Sequence, residues 1–284
     1  MNNIVKFGPG GNSDSFFTAG LKHTYQIFNW LAEKQLDAYE YQAGSGIYGS
    51  DETFKNIGVE ALKNNITVSL HAPYYISLSS PEEAKLIKNI EYIKKSIKAA
   101  ELMQGYLIVV HPGGVMNSRR QEAINLTKTA LYKTLEAVDD TKIKIGLETM
   151  GKINQLGTLE EILDLCSIGK KLRPVVDFGH LNARNSGRTL KSADDYKRIF
   201  GMILKKLSIN EAEPLHCHFS KIEYTKSGEK KHLTFEDAIY GPEYELFIET
   251  LYTEKLNAVI ICESDGTMTE DALLMKNYYD SLKI

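Results

Sequence analysis

The chain has 284 residues, of which 43% are hydrophobic and 25% charged, the composition of a folded globular protein and not of a disordered or low-complexity one. A net charge of −3 excludes a protein that is basic all over, so any nucleic-acid binding has to come from local charge. Cys166, Cys217 and Cys262 show no CxxC spacing, the N-terminal residues lack a basic segment followed by an apolar run, and no stretch approaches a membrane span. A soluble, cytoplasmic protein without disulfides or a thiolate zinc site is therefore expected.

Short apolar runs rich in β-branched residues recur at 4–7, 38–41, 67–70, 106–110, 144–147, 174–176, 215–219 and 258–262. Between them, amphipathic stretches such as 81–102, 118–138 and 158–168 predict helices, with Ser80, Ser118 and Thr158 as N-caps. Alternation of strand and helix implies parallel strands joined by crossover helices, and eight repeats close into an α/β (β/α)8 TIM barrel. An open doubly wound sheet is the alternative. No linker and no further repeat interrupts the pattern, so residues 1–284 are expected to form one domain.

Almost every predicted strand ends in a residue able to bind metal. His71 closes TVSLH, His111 closes YLIVVH, Glu148 closes KIGLE, Asp177 closes PVVD, Glu263 closes AVIICE, and LHCHF carries His216 and His218. Strand C-termini of a parallel barrel face one way, so these side chains converge on one mouth. A single histidine at a strand end is usually a hydrogen-bonded structural residue. Burying several carboxylates and imidazoles together without a cation is costly, however, and the set as a whole points to metal. In DFGHLNAR, Asp177 and His180 are three apart, which lets the strand-end carboxylate face one cation and a loop imidazole face its neighbour. Mixed nitrogen and oxygen donors suit Zn²⁺, with Mn²⁺ or Fe²⁺ as alternatives. His216 and His218 have the same strand parity, so alternation leaves open which is the ligand. Cys217 and Cys262 read as packing residues, and His23, without a partner at ligand spacing, as a surface or packing residue.

The segments HAPYYISLSS, VVHPGG, GLETMGK, VVDFGHLNAR, HFSKIEYTKSGEKKH and ICESDG, in that order over residues 71–265, resemble the endonuclease IV type of apurinic/apyrimidinic endonucleases, a group of xylose-isomerase-like TIM barrels. The resemblance implies a trinuclear zinc cluster, with His71, His111, Glu148, Asp177, His218 and Glu263 around two metals, Glu148 bridging, and His180 and His232 at the third. It favours His218 over His216 as the ligand and matches Tyr74 to a tyrosine that contacts the substrate strand. The sequence departs from the family at two places. Lys230 in GEKKH stands where the family places an aspartate. An ammonium cannot ligate, so Glu229 is expected to substitute; otherwise a two-metal site remains. YQAGSGIYGSDETF lacks the basic, glutamine-containing loop that family members insert into DNA, and Tyr48 is the aromatic there that could stack instead.

The implied activity is hydrolysis of the phosphodiester 5′ to an abasic site in DNA, as in base excision repair, by a monomer. Metal would lower the pKa of the attacking water to about 7; Glu148 would orient that water and Glu263 handle its proton. Arg119, Arg120, Lys152, Arg184, Arg188, Lys221, Lys226, Lys230 and Lys231 follow strands four to seven and are placed to meet phosphates, with Arg184 and Lys230 as candidate substrate contacts. A rival from the same barrel group is a sugar isomerase or epimerase working on a polyol with one divalent metal. His71, His111, His180, His218 and His232 are more nitrogen ligands than it would use. A third reading, a non-catalytic scaffold, draws only on Lys230 and leaves the converging carboxylates unexplained.

Overall fold

The computed structural model describes residues 4–115, 119–207 and 212–283. Among the described residues ten strands are formed: β1 (Val5–Pro9), β2 (Ala38–Gln42), β3 (Thr67–His71), β4 (Leu107–Val110), β5 (Lys144–Glu148), β6 (Leu172–Asp177), β7 (Leu215–Phe219), β8 (Lys221–Thr225), β9 (Gly228–Leu233) and β10 (Ala258–Cys262). Eight of them lie in one parallel sheet in the order β1-β10-β7-β6-β5-β4-β3-β2. The ring closes between β1 and β2 through a bridge from Gly10 to Glu40 and a hydrogen bond from Asp37 N to Phe7 O of 3.0 Å. Gly8 permits this approach, because a Cβ there would lie 1.7 Å from Ala38 O.

The eight runs read as strands are thus the eight barrel strands, and the chain is a TIM barrel. The main core lies between strands and helices, around Phe7, Phe28, Leu70, Ile108, Leu147, Phe178, Phe219 and Phe247. Inside the barrel, Ala38, Val259 and Ile261 form one small cluster and Leu107, Val109 and Val175 another, and Tyr106 packs against both. Polar side chains fill the levels above.

The helices begin where local capping allows. Thr158 caps the helix Leu159–Cys166 as predicted, with a reciprocal bond to Glu161. Ser80 does not cap. Its Oγ accepts from Glu82 N at 3.3 Å in the turn before the helix Glu83–Leu102, whose N-cap position is Glu82. The helix predicted from 118 runs Arg120–Ala137, and Ser118 lies outside the described residues. Two elements were not predicted. The helix Phe178–Arg184 begins directly after β6, and the antiparallel hairpin β8–β9 stands between β7 and the helix Tyr244–Thr253. Among the described residues no helix is long and apolar enough to cross a membrane.

Candidate metal centre

At the mouth, metal-capable side chains of the strand ends, the helix after β6 and the hairpin meet in three groups whose ligand atoms lie within 4.8 Å of one another: His71, His111 and Glu148; Glu148, Asp177, His218 and Glu263; and His180, Glu229 and His232; a further group, Glu40, His216 and His218, adjoins them. Glu148 belongs to two of them. Its Oε2 lies 3.3 Å from His71 Nε2 and 3.0 Å from His111 Nε2, while its Oε1 lies 3.0 Å from His218 Nδ1. One carboxylate oxygen therefore faces each of two neighbouring groups. Glu263 Oε2 is 3.4 Å from His218 Nδ1, and Glu229 Oε2 is 3.3 Å from His180 Nε2.

These separations test whether the residues fit an ion. Ligand atoms around a tetrahedral Zn²⁺ with bonds of about 2.0–2.1 Å stand roughly 3.3 Å apart, close to the contacts between these groups. Asp177 Oδ2 is buried, lies 3.3 Å from His180 Nδ1 and has no hydrogen-bond partner, which leaves an unused acceptor within reach of the second group. Taking a carboxylate out of water costs several kcal/mol unless charge compensates it, and Glu148 and Asp177 are both buried. The residues fit two or three divalent cations.

Several histidines have one nitrogen tied down and the other presented to the cluster. His71 Nδ1 lies 2.8 Å from Ala72 O and His180 Nδ1 lies 2.9 Å from Thr149 O. A carbonyl only accepts, so these nitrogens donate and Nε2 is left as the ligand atom. His232 Nδ1 is 2.9 Å from Ser220 Oγ. Such partners orient imidazole ligands and set their tautomers.

The local folding explains two spacings. Asp177 is the N-cap of the helix Phe178–Arg184, its Oδ1 accepting from His180 N at 2.6 Å. His180 was expected on a loop; it sits on the first turn of this helix, and the cap geometry produces the three-residue spacing. In the hairpin, Glu223 pairs with Lys231 but Tyr224 pairs with Glu229, so Lys230 is the extra residue of a β-bulge. The bulge shifts side-chain parity by one and brings Glu229 onto the face of His232. Lys230 turns outward and pairs with Glu223 at 2.6 Å. Gly151 makes room for this group, since a Cβ there would lie 2.6 Å from Glu229 Cβ and 3.0 Å from His180 Cδ2.

Charge follows the same geometry. Burial opposes ionisation of Glu148, but hydrogen bonds from His111, His218 and His71 hold its carboxyl well below the usual range. Burial works against the His71 imidazolium, yet the bond and charge of Glu148 raise its pKa to about 9. His180 is likewise disfavoured as a cation by burial and raised to about 9 by Asp177 and Glu229. Burial raises the Asp177 carboxyl, with His180 offsetting part of the rise. For Glu263, burial is outweighed by His218, and the pKa falls to about 2.

Sequence reasoning passed over Glu40. It is fully buried in the middle of β2 and faces both histidines of β7, with its Oε2 2.9 Å from His216 Nε2 and its Oε1 3.1 Å from His218 Nε2. The sequence signal was a lone charge at an inward position of an otherwise apolar strand. His216, expected to be structural or to lie behind the ligands, is held between Glu40 and Tyr106 Oη. His23 is exposed and stacks on Tyr25, as expected of a surface residue. Cys217 and Cys262 are buried packing residues.

Several of the cations expected at the mouth serve as internal fasteners. Arg184 donates to the carbonyls of Met150, Lys152, Ile153 and Gln155, and Arg120 to those of Ile153 and Gln155 and to Glu161. Lys221 is buried against Asp237 O and Glu243. The mouth itself is a cavity of about 540 Å³ lined by Gln42, Glu229, Lys230, Lys231, His232 and Glu263, among others. Tyr74 is 63% exposed and Tyr48 70% exposed. A larger cavity of about 670 Å³, beside Arg184, Arg188 and Arg198, contains none of the cluster and is not the candidate centre.

Comparison with known proteins matches residues 28–278 to the family described as xylose isomerase-like TIM barrel. An uncharacterised protein of Methanocaldococcus jannaschii is 28% identical over 269 residues, covering 93% of this chain and 96% of that one. A probable endonuclease 4 of Malacoplasma penetrans is 33% identical over 220 residues, covering 70% and 74%. Among solved structures, a D-tagatose 3-epimerase-like protein superposes with a TM-score of 0.68 at 23% identity over 90% of this chain and 92% of its own. Endonuclease IV from Thermus thermophilus superposes with a TM-score of 0.65 at 14% identity over 91% and 93%. At these identities the structural likenesses speak for the fold alone.

Proposed function

We propose, on the premise that the chain belongs to the xylose isomerase-like TIM barrel family, that it is a metal-dependent phosphodiesterase of the endonuclease IV type, incising DNA 5′ to abasic sites. The observation that carries this reading is the third group. Glu148, Asp177, His218 and Glu263 already supply four donors, enough for one divalent cation, so a chemistry that needs one ion leaves His71 and His111 beside them, and His180, Glu229 and His232 beyond, without a role. A phosphodiester has two non-bridging oxygens and a leaving oxygen to stabilise, which suits adjoining cations.

Zn²⁺ held by these groups would supply Lewis acidity toward the phosphate oxygens and the attacking water. The chain's own residues divide the remaining work. Glu148 directs one oxygen to each barrel group and so fixes their separation. Glu263 lines the mouth and is the carboxylate placed there to accept the proton as the water oxygen bonds to phosphorus. The bond from phosphorus to O3′ then breaks and O3′ departs, to be protonated as a 3′-hydroxyl. Lys230 and Lys231, which line the mouth, meet the flanking phosphates, while exposed Tyr74 and Tyr48 offer faces for base or sugar stacking. Arg184 acts on the substrate only through the loop that it holds. The protein is expected to act as a monomer.

The test is a duplex with one abasic site, offered to zinc-loaded protein beside a ketohexose epimerisation assay. A nick 5′ to the lesion with a 3′-hydroxyl is expected. Ketohexose turnover without a nick would replace this reading with the epimerase one.

A further inference from the structure

Glu40 is the group within the barrel that neither the resemblance nor the proposed chemistry employs. Its carboxylate is surrounded by donors. Ser69 Oγ donates to Oε2 at 2.8 Å and His216 Nε2 lies 2.9 Å from the same oxygen, while His218 Nε2 lies 3.1 Å and Gln42 Nε2 3.4 Å from Oε1. The His218 contact is close but its N–H is not aligned on the oxygen, and Nε2 has no hydrogen-bond partner. Glu40 Oε1, at 3.1 Å, is its charged neighbour all the same. On the other side of the ring, Nδ1 is hydrogen-bonded to Glu148 Oε1 at 3.0 Å and lies 3.4 Å from Glu263 Oε2, the position that a cation held by these carboxylates would take over.

We infer that Glu40 is a positioning residue for metal binding: it keeps the His218 proton on Nε2, so that Nδ1 is the nitrogen offered to the cation. An ionised carboxylate only accepts hydrogen bonds, which forces the tautomer, and a negative partner raises the basicity of the opposite nitrogen. His71 and His180 have backbone carbonyls in the corresponding place and His232 a hydroxyl; at His218 the group facing the outer nitrogen is the Glu40 carboxylate. His216 completes the support. Its two nitrogens are engaged by Glu40 Oε2 and by Tyr106 Oη at 2.6 Å, so it braces Glu40 and is itself removed from ligation. Although Glu40, His216 and His218 lie close enough together to surround an ion, these bonds leave no free lone pair on His216 for one.

The inference rests on the reading that the cluster binds metal, but its test does not require substrate. Zinc affinity of Glu40→Gln is measured by chelator competition, and the His218 tautomer in zinc-loaded protein by long-range ¹H–¹⁵N correlation. Glutamine can accept from only one of the two facing N–H groups and presents a donor to the other. The expected result is a protonated Nε2 and zinc-bound Nδ1 in the parent, and about a 10- to 100-fold loss of zinc affinity in Glu40→Gln, the range for removing such outer partners. Glu40→Asp, which keeps the charge, is expected to recover part of the loss. An unchanged zinc affinity overturns the inference, as does an unprotonated Nε2 in the parent, which is readable even if the variant does not fold. Loss of one whole equivalent of zinc in Glu40→Gln would also overturn it, since Glu40 would then be a ligand. If the parent binds zinc as described but does not nick DNA, the phosphodiesterase reading fails and this inference stands.

Discussion

The two barrel groups and the hairpin group offer the same donor types but are built differently. His71, Glu148, Asp177 and His218 stand on four barrel strands whose register is set by parallel ladders, and the core behind them holds those ladders rigid. His180, Glu229 and His232 come from a short helix and an inserted hairpin. Their alignment depends on a bulge, on Gly151 and on the loop that Arg184 and Arg120 clamp by its carbonyls. A site on strands inherits the precision of the sheet, whereas a site on inserted elements is only as precise as its fasteners. The cation of the hairpin group should therefore be the more easily lost.

The largest effect is expected from Glu148→Gln, which takes charge from both barrel groups at once. Metal should be lost from both and incision should fall to background, and a variant retaining full metal content would break the bridging role assigned to Glu148. Gly151→Ala separates the two regions. Its Cβ would collide with Glu229 and His180, so the hairpin ion should be lost while the barrel ions remain, as counted by mass spectrometry. Equal losses from both regions would end the distinction.

The pH dependence sharpens the comparison, because both regions hold raised histidines, His71 and His218 in the barrel groups and His180 in the hairpin group. Burial disfavours the cation at His71 and at His180, but Glu148 at the first and Asp177 and Glu229 at the second lift each from 6.5 to about 9. A raised folded pKa stabilises the fold fully below the unfolded value and is lost as pH rises through the folded one. Chelator-stripped protein should accordingly lose thermal stability between about pH 6.5 and 9. Zinc-loaded protein should not, and zinc binding near pH 7 should release protons, measurable by calorimetry in buffers of differing ionisation enthalpy. A flat stability profile for stripped protein would remove this account of the charges. The smallest effect concerns Lys230, exposed and paired with Glu223. Lys230→Ala should weaken DNA binding modestly at every sequence and lower the salt slope by about one. An unchanged slope would take Lys230 out of the interface.

The barrel and its strand-end ligands were legible because a parallel barrel turns sequence position into spatial position. Each run of apolar residues ending in His71, His111, Glu148, Asp177 or Glu263 carried its own address. Alternation could not choose between His216 and His218, since both point inward; the choice becomes visible only where Glu40 and Tyr106 take up both nitrogens of His216. Glu40 escaped notice because attention to strand ends passes over mid-strand positions. The hairpin was illegible for a different reason. Its strands are half-exposed and rich in lysine and glutamate, without the apolar alternation that marks a buried strand. Whether Lys230 or Glu229 faces the cluster then depended on a bulge, which is a property of pairing and not of either strand alone.

The most direct test is to titrate natively loaded protein with a chelator while counting bound divalent ions per chain. The expected result is about three ions lost in two stages, the hairpin ion first and the barrel pair together at higher chelator. Loss of a single ion in a single stage would contradict the polynuclear centre and, with it, the division between barrel and hairpin.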